Sequence, residues 1–166
     1  MLVSVAVFTM VVSMSIGVFV FSLKAQRKSL ATQDLLDQTS YAVEYMSRAL
    51  RMAQKDLTGE CIPVKANYQI IRDDLGFAQE IAFKNYEGEC QSFIWDVQLK
   101  EEKDGDTNLL TSANILVSWF NAELVGESQI DSVQPKITFA WQALGKENSK
   151  VIIQTTVSQR NADIRE

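Results

Sequence analysis

Residues 1–28, MLVSVAVFTMVVSMSIGVFVFSLKAQRK, decide how this chain is read. No charge interrupts the stretch before Lys24, and a basic cluster of Lys24, Arg27 and Lys28 then closes it. The hydrocarbon core of a bilayer is about 30 Å thick and takes about 20 apolar residues in a helix, so Met1 to Leu23 has spanning length. Ser4, Thr9, Ser13, Ser15 and Gly17 are small or hydroxyl-bearing, which suits close helix–helix packing in lipid. A cleaved secretory signal would open on basic residues and carry an apolar run of only about 7–15 residues. A buried helix of a soluble core would not place so long an uncharged run at a terminus. Leu2, Val5, Phe8, Val12, Ile16, Phe19 and Leu23 are the residues expected to meet lipid or neighbouring helices. The basic cluster taken alone would hold the rest of the chain in the cytoplasm.

Proline and glycine are absent from Lys24 to Lys55, so the helix is expected to continue. Leu36, Thr39, Val43, Met46, Leu50, Ala53 and Leu57 step by alternating threes and fours, one stripe of a helix. Leu35, Ala42 and Ala49 widen it. Glu44 and Arg48 fall outside the stripe, spaced for an i,i+4 pair. Gly59 is a suitable stop. Together the two halves predict one helix of about 55 residues, about 80 Å long at 1.5 Å per residue. Three heptads are few for a coiled coil, so the stripe is expected to cover a domain that follows.

Beyond Gly59 the period changes to two. Phe93 to Leu99, Ile137 to Ala143 and Val151 to Val157 alternate, each with one apolar face. Ile115 to Val125 is a fourth strand, apolar on both faces; Tyr68 to Arg72 and Ala78 to Tyr86 are weaker ones. Turns are expected at Glu87-Gly88, Asp104-Gly105-Asp106, 126–134 and 145–149. Strands that follow one another without helices predict an antiparallel sheet against the amphipathic half of the helix, an α+β fold. Leu36, Val43, Met46 and Leu50 would meet Phe93, Trp95, Phe139 and Trp141 in that core. The division is then 1–23 apolar helix, 24–57 amphipathic helix, 58–158 sheet domain and 159–166 flexible tail.

Net charge is −5, which does not suit the counterion displacement that nucleic acid binding needs. Histidine is absent, which removes the commonest general base and metal ligand. Nucleophile-elbow, phosphate-loop and zinc-protease motifs are absent too. The expectation is no enzyme and no cofactor. Asp104, Asp106 and Asn108 have the spacing that opens a calcium loop. Leu109 and Ile115 stand where such a loop carries glycine and glutamate, so a solvated hairpin turn is the stronger reading. Glu101 and Glu102 beside it are also read as solvated. Cys61 and Cys90 are the only cysteines, and an even count behind a membrane helix suggests one disulfide. That bond places the domain in an oxidising compartment, against the orientation the basic cluster suggests.

The opening run, with Leu2-Val3-Ser4-Val5-Ala6, resembles the N-terminal helix of type IV pilins and type II secretion pseudopilins, entered just inside its start. The segment IQTTVSQRN, Ile153 to Asn161, resembles the last strand of many prepilin-like proteins. The resemblance implies a leader, a cleavage glycine, a methylated residue and an assembly glutamate ahead of Met1. The sequence is thus expected to be N-terminally truncated, with the missing basic leader marking the cytoplasmic end. It further implies a structural subunit, a minor one, held in the inner membrane with its sheet domain outside. Its partners would be other pilin-like subunits through the N-terminal helix, and the assembly platform and motor. The competing reading is a single-span membrane protein whose extracytoplasmic β-domain binds a ligand or partner, with 100–112 or 127–134 as its binding surface.

Overall fold

The computed structural model describes residues 2–127 and 133–160. One helix, α1 (Leu2–Arg51), runs unbroken for 50 residues. Eight strands follow: β1 (Gln69–Arg72), β2 (Ala78–Lys84), β3 (Cys90–Asp96), β4 (Gln98–Lys103), β5 (Asp106–Leu109), β6 (Leu116–Val125), β7 (Lys136–Leu144) and β8 (Lys150–Ser158). All pairings are antiparallel. The class is α+β, a long apolar helix packed on antiparallel sheet, a pilin-like layout.

The expected single sheet is two. Strands β1 to β5 form a meander, and β6, β7 and β8 form a second sheet. The division falls between β5 and β6, and the meander gains a strand at Val97. The run Phe93 to Leu99, read as one strand, reverses there, so that Asp96 faces Gln98 across β3 and β4. Val97 adopts φ 60°, a conformation a β-branched side chain disfavours. Strand β6 holds it there: Val117 N–H donates to Val97 O (2.7 Å), and the Trp95 indole N–H donates to Val117 O (2.9 Å). Arg72, closing β1, donates to Asn121 Oδ1 and to Ala122 O (2.7 Å). These bonds stitch the meander to the β6 edge. The β4–β5 turn is an ordinary two-residue hairpin, Asp104-Gly105 with both φ positive, as its right-handed twist requires.

The buried face of α1 is rotated from the stripe expected. Leu35, Thr39, Ala42, Met46 and Leu50 are buried. Leu36 is 43% exposed and Leu57 61% exposed, while Val43 is half-buried at the edge of the core. Adjacent leucines stand about 100° apart on a helix, and the sheets meet the Leu35 side. Met46, Leu50, Phe93, Phe139 and Trp141 are fully buried; Trp95 packs half-buried against them. Phe139 and Phe120 both stack on Trp141, filling the space under β6 and β7. At the β7–β8 turn a Cβ on Gly145 would lie 2.7 Å from Ser149 Oγ and 3.3 Å from Leu35 Cδ1, so glycine lets the turn close on the helix.

Helix α1 ends at Arg51, some six residues before the stop expected from Gly59. Tertiary partners end it. The Tyr68 hydroxyl donates to Leu50 O (2.6 Å), Arg160 N–H to Arg51 O (2.8 Å) and Gln159 Nε2 to Ala53 O (2.8 Å). The carbonyls that would have continued the helix are thereby taken. Gln54 instead pairs with Lys84 at the end of β2. The expected flexible tail from 159 is corrected at its first two residues, since Gln159 is buried and both are bonded to the helix end. Residues 161–166 lie outside the described residues.

The rotated face makes a sharp comparison. Leu35→Ala is expected to cost about 2–5 kcal/mol, as deletion of a fully buried leucine does, and Leu36→Ala less than about 1 kcal/mol. Urea unfolding of the two detergent-solubilised variants measures the difference. Equal losses would return the core to the Leu36 stripe.

Candidate functional site: an uncovered apolar helix and its anchorage

The first half of α1 has no protein around it. Leu2, Val5, Phe8, Ile16 and Phe19 are each more than half exposed, and Val12 and Leu23 more than a third. The most apolar 18-residue window has a mean hydropathy of 2.3 and no buried residue. Leu2 to Leu23 rise about 33 Å, the thickness of a hydrocarbon core. The helix is thus long and apolar enough to cross a membrane. Three of its hydroxyls return their protons to the helix backbone. Thr9 Oγ1 donates to Ala6 O (2.9 Å), Ser13 Oγ to Thr9 O (2.8 Å) and Ser15 Oγ to Val11 O (2.9 Å). Such back-bonding keeps the segment compatible with a medium that offers no water. A large apolar surface of this kind marks a site of interaction with membrane or protein.

Below it lies a bare neck. Lys24, Arg27, Lys28 and Leu30 are exposed, Ala31 and Thr32 are the first half-buried positions, and Leu35 is the first buried one. From there the helix is fastened to the domain at two polar points that the sequence did not betray.

The first is Glu101. Read as solvated, it is only 6% exposed. Register in β4 turns it inward between Phe93 on one side and Asn108 on the other. Its Oε1 accepts from the Tyr45 hydroxyl of α1 (2.6 Å) and from Gln91 Nε2. Burial, and then the bond to this carboxylate, pushes the Tyr45 phenol up to about 12. The phenol thus stays a donor at any physiological pH, and the clamp persists.

The second is Asp56, whose side chain is fully buried just past the helix. Its Oδ1 accepts from Thr58 N–H (3.0 Å), Thr58 Oγ1 (2.9 Å) and Gly59 N–H (3.0 Å). Its Oδ2 accepts from Cys61 N–H (2.8 Å) and Ile62 N–H (3.2 Å). Lys84 Nζ stands 3.7 Å away. Burial pushes this carboxyl up, but the hydrogen bonds, led by those from Cys61 and Ile62, hold it well below the usual carboxylate range. The loop it organises delivers Cys61 to Cys90. The disulfide is formed, with S–S 2.00 Å and Cα–Cα 5.1 Å. It joins the stretch after the helix to the first residue of β3, and entropy of the closed 29-residue separation makes it worth about 3.6 kcal/mol.

The calcium spacing comes to nothing that holds an ion together. Asp104 sits in the β4–β5 turn, and Asp106 and Asn108 are alternate residues of extended β5, where a calcium loop would curl around its ion. No three His, Cys, Asp or Glu side chains among the described residues are placed to share a metal. Within 100–112 the chain forms a hairpin with an exposed strand; of 127–134, positions 128–132 lie outside the described residues. Tyr45, Gln91, Glu101 and Asp56 are what sequence reasoning missed. The one available hint was an aspartate two residues before Thr58-Gly59, a common self-capping pattern.

No protein family model, curated protein or solved structure matches this chain.

The Asp56 cradle fixes a pH dependence. A carboxyl with a lowered folded-state pKa stabilises fully above about pH 4, the ordinary unfolded value, and that stability is lost as pH falls toward the folded value. Asp56→Ala is expected to lose about 2–3 kcal/mol at pH 7, because it strands buried donors, and to flatten the acid limb below pH 4. Urea midpoints between pH 2.5 and 7 follow both effects. An acid limb unchanged from wild type would assign the acid sensitivity elsewhere.

Proposed function

We propose that this chain is a structural subunit of a type IV pilus or type II secretion pseudopilus, assembled from the inner membrane by helix bundling. The observation that carries the reading is the single continuous helix. Its upper half is apolar on every face and uncovered, and its lower half is built into a disulfide-bonded antiparallel domain. A segment of this kind is at home in lipid or among copies of itself, and a filament core offers the second environment. The likeness of its opening run to pilin helices points the same way. On this reading the β-domain stands on the extracytoplasmic side, where the disulfide forms. Other pilin-like subunits contact the helix, and an assembly platform and motor extract it. The role is mechanical rather than catalytic, and uses no cofactor.

The filament reading and the single-span alternative part at one point. Before assembly the protein resists alkaline extraction from membranes on either reading. In cells carrying the assembly machinery, the filament reading expects it also in the sheared, sedimentable filament fraction. Val12→Lys, a charge in the middle of the apolar half, is expected to remove it from both fractions. Exclusive residence in the membrane, with filaments present and lacking the chain, would favour the single-span protein.

A further inference from the structure

The neck carries two sets of charges that have no partner along their own helix. Lys24 and Arg27 are followed three or four positions on by Arg27, Lys28, Leu30 and Ala31, none of them acidic. Asp34 and Asp37 have no basic residue three or four positions to either side. Among the described residues, Asp34 accepts only from the Gln38 amide (2.9 Å). Farther down the same helix the chain does provide an internal pair, Glu44 with Arg48 at 2.7 Å. All four neck charges are exposed. Asp34 lies ten residues beyond Lys24, and Asp37 ten residues beyond Arg27.

We infer that neighbouring copies pack with parallel helices offset by ten residues, about 15 Å. Lys24 and Arg27 of one copy then face Asp34 and Asp37 of the next. The inference rests on the filament reading, with this chain as a repeating subunit and not the minor one that the resemblance implies, and gives its subunit contact a register. Three further observations agree. Ten residues at about 100° each separate the two charge sets by about 80° around the helix, so the contact uses two different faces. A contact between different faces propagates as an open chain, where a contact between like faces closes into a pair. The same offset lays residues 2–13 of one apolar half against 12–23 of the next, which keeps both sides of that contact uncharged. The bare neck from Lys24 to Asp34 is about as long as the offset, so a neighbour's domain, which begins at Leu35, has room beside it. Exposed ion pairs are individually weak, and two pairs repeated at one spacing select a register more than they supply affinity.

The test is a cysteine double variant, Arg27→Cys with Asp37→Cys, expressed as full-length chain in cells that assemble filaments. Within one helix these positions are about 15 Å apart, beyond disulfide reach, so any bond between them joins two copies. The expected result is a covalent ladder on non-reducing gels, with the 27–37 linked peptide identified by mass spectrometry. Arg27→Glu and Asp37→Arg are each expected to lower the sheared filament yield about fivefold, and together to restore it. Filaments that contain the chain but give no 27–37 ladder, or that give dimers with Arg27→Cys alone, would overturn the offset and leave the filament reading standing. A chain absent from filaments would overturn both.

Discussion

Leu35, Thr39, Ala42, Met46 and Leu50 recur every three or four residues along α1, and their burial joins two sheets that share no ladder. The meander reaches the helix through Phe93 and the Tyr45–Glu101 bond, and the second sheet reaches it through the β7–β8 turn at Leu35. Neither sheet has another α-helix to cover it among the described residues. The stitches along β6 align the sheets, but the apolar stripe supplies the common face. A helix apolar all round could not serve this way, since it has no preferred side. The change from all-round to one-sided apolarity near residue 30 is therefore the boundary between the part of the molecule that holds itself together and the part that needs an outside partner.

That boundary was plain in the sequence, and much else was legible for the same reason. Twenty-three uncharged residues admit few structures, two cysteines admit one pairing, and the alternation of 137–143 and 151–157 is clean. What could not be read depended on long-range contact. Leu35 and Leu36 are chemically alike, and the choice between them is made by sheets that begin more than thirty residues away. Val97 carries no glycine or proline to announce a reversal; it turns because β6 takes its carbonyl. Glu101 stands in a run of charges, LKEEK, that reads as solvent-facing, and strand register alone turns it to the helix. The helix end was misplaced because carbonyls at its terminus are satisfied by Tyr68, Gln159 and Arg160, none of them local.

Polar groups at the helix–domain junction are placed to resist separation. Glu101 and Asp56 are both buried acids with several donors, so removing either partner leaves stranded groups in a low-dielectric setting. The disulfide backs them by binding the junction covalently to β3. A helix that is pulled on at its apolar end would load the Leu35 contact first and this junction last, and the covalent bond stands at that far end.

The bond from Gln159 to Ala53 spans 106 positions of chain. It makes the end of β8 the cap of the helix. During synthesis the helix is complete long before the strand that closes it exists, and the core face of α1 must wait uncovered in the meantime. Such distant pairing is slow to find, and the waiting species exposes apolar surface. A chain built this way has a vulnerable interval at birth, when its folded half is still in solution without its last strand, and its yield in the cell will depend on how that interval is shielded.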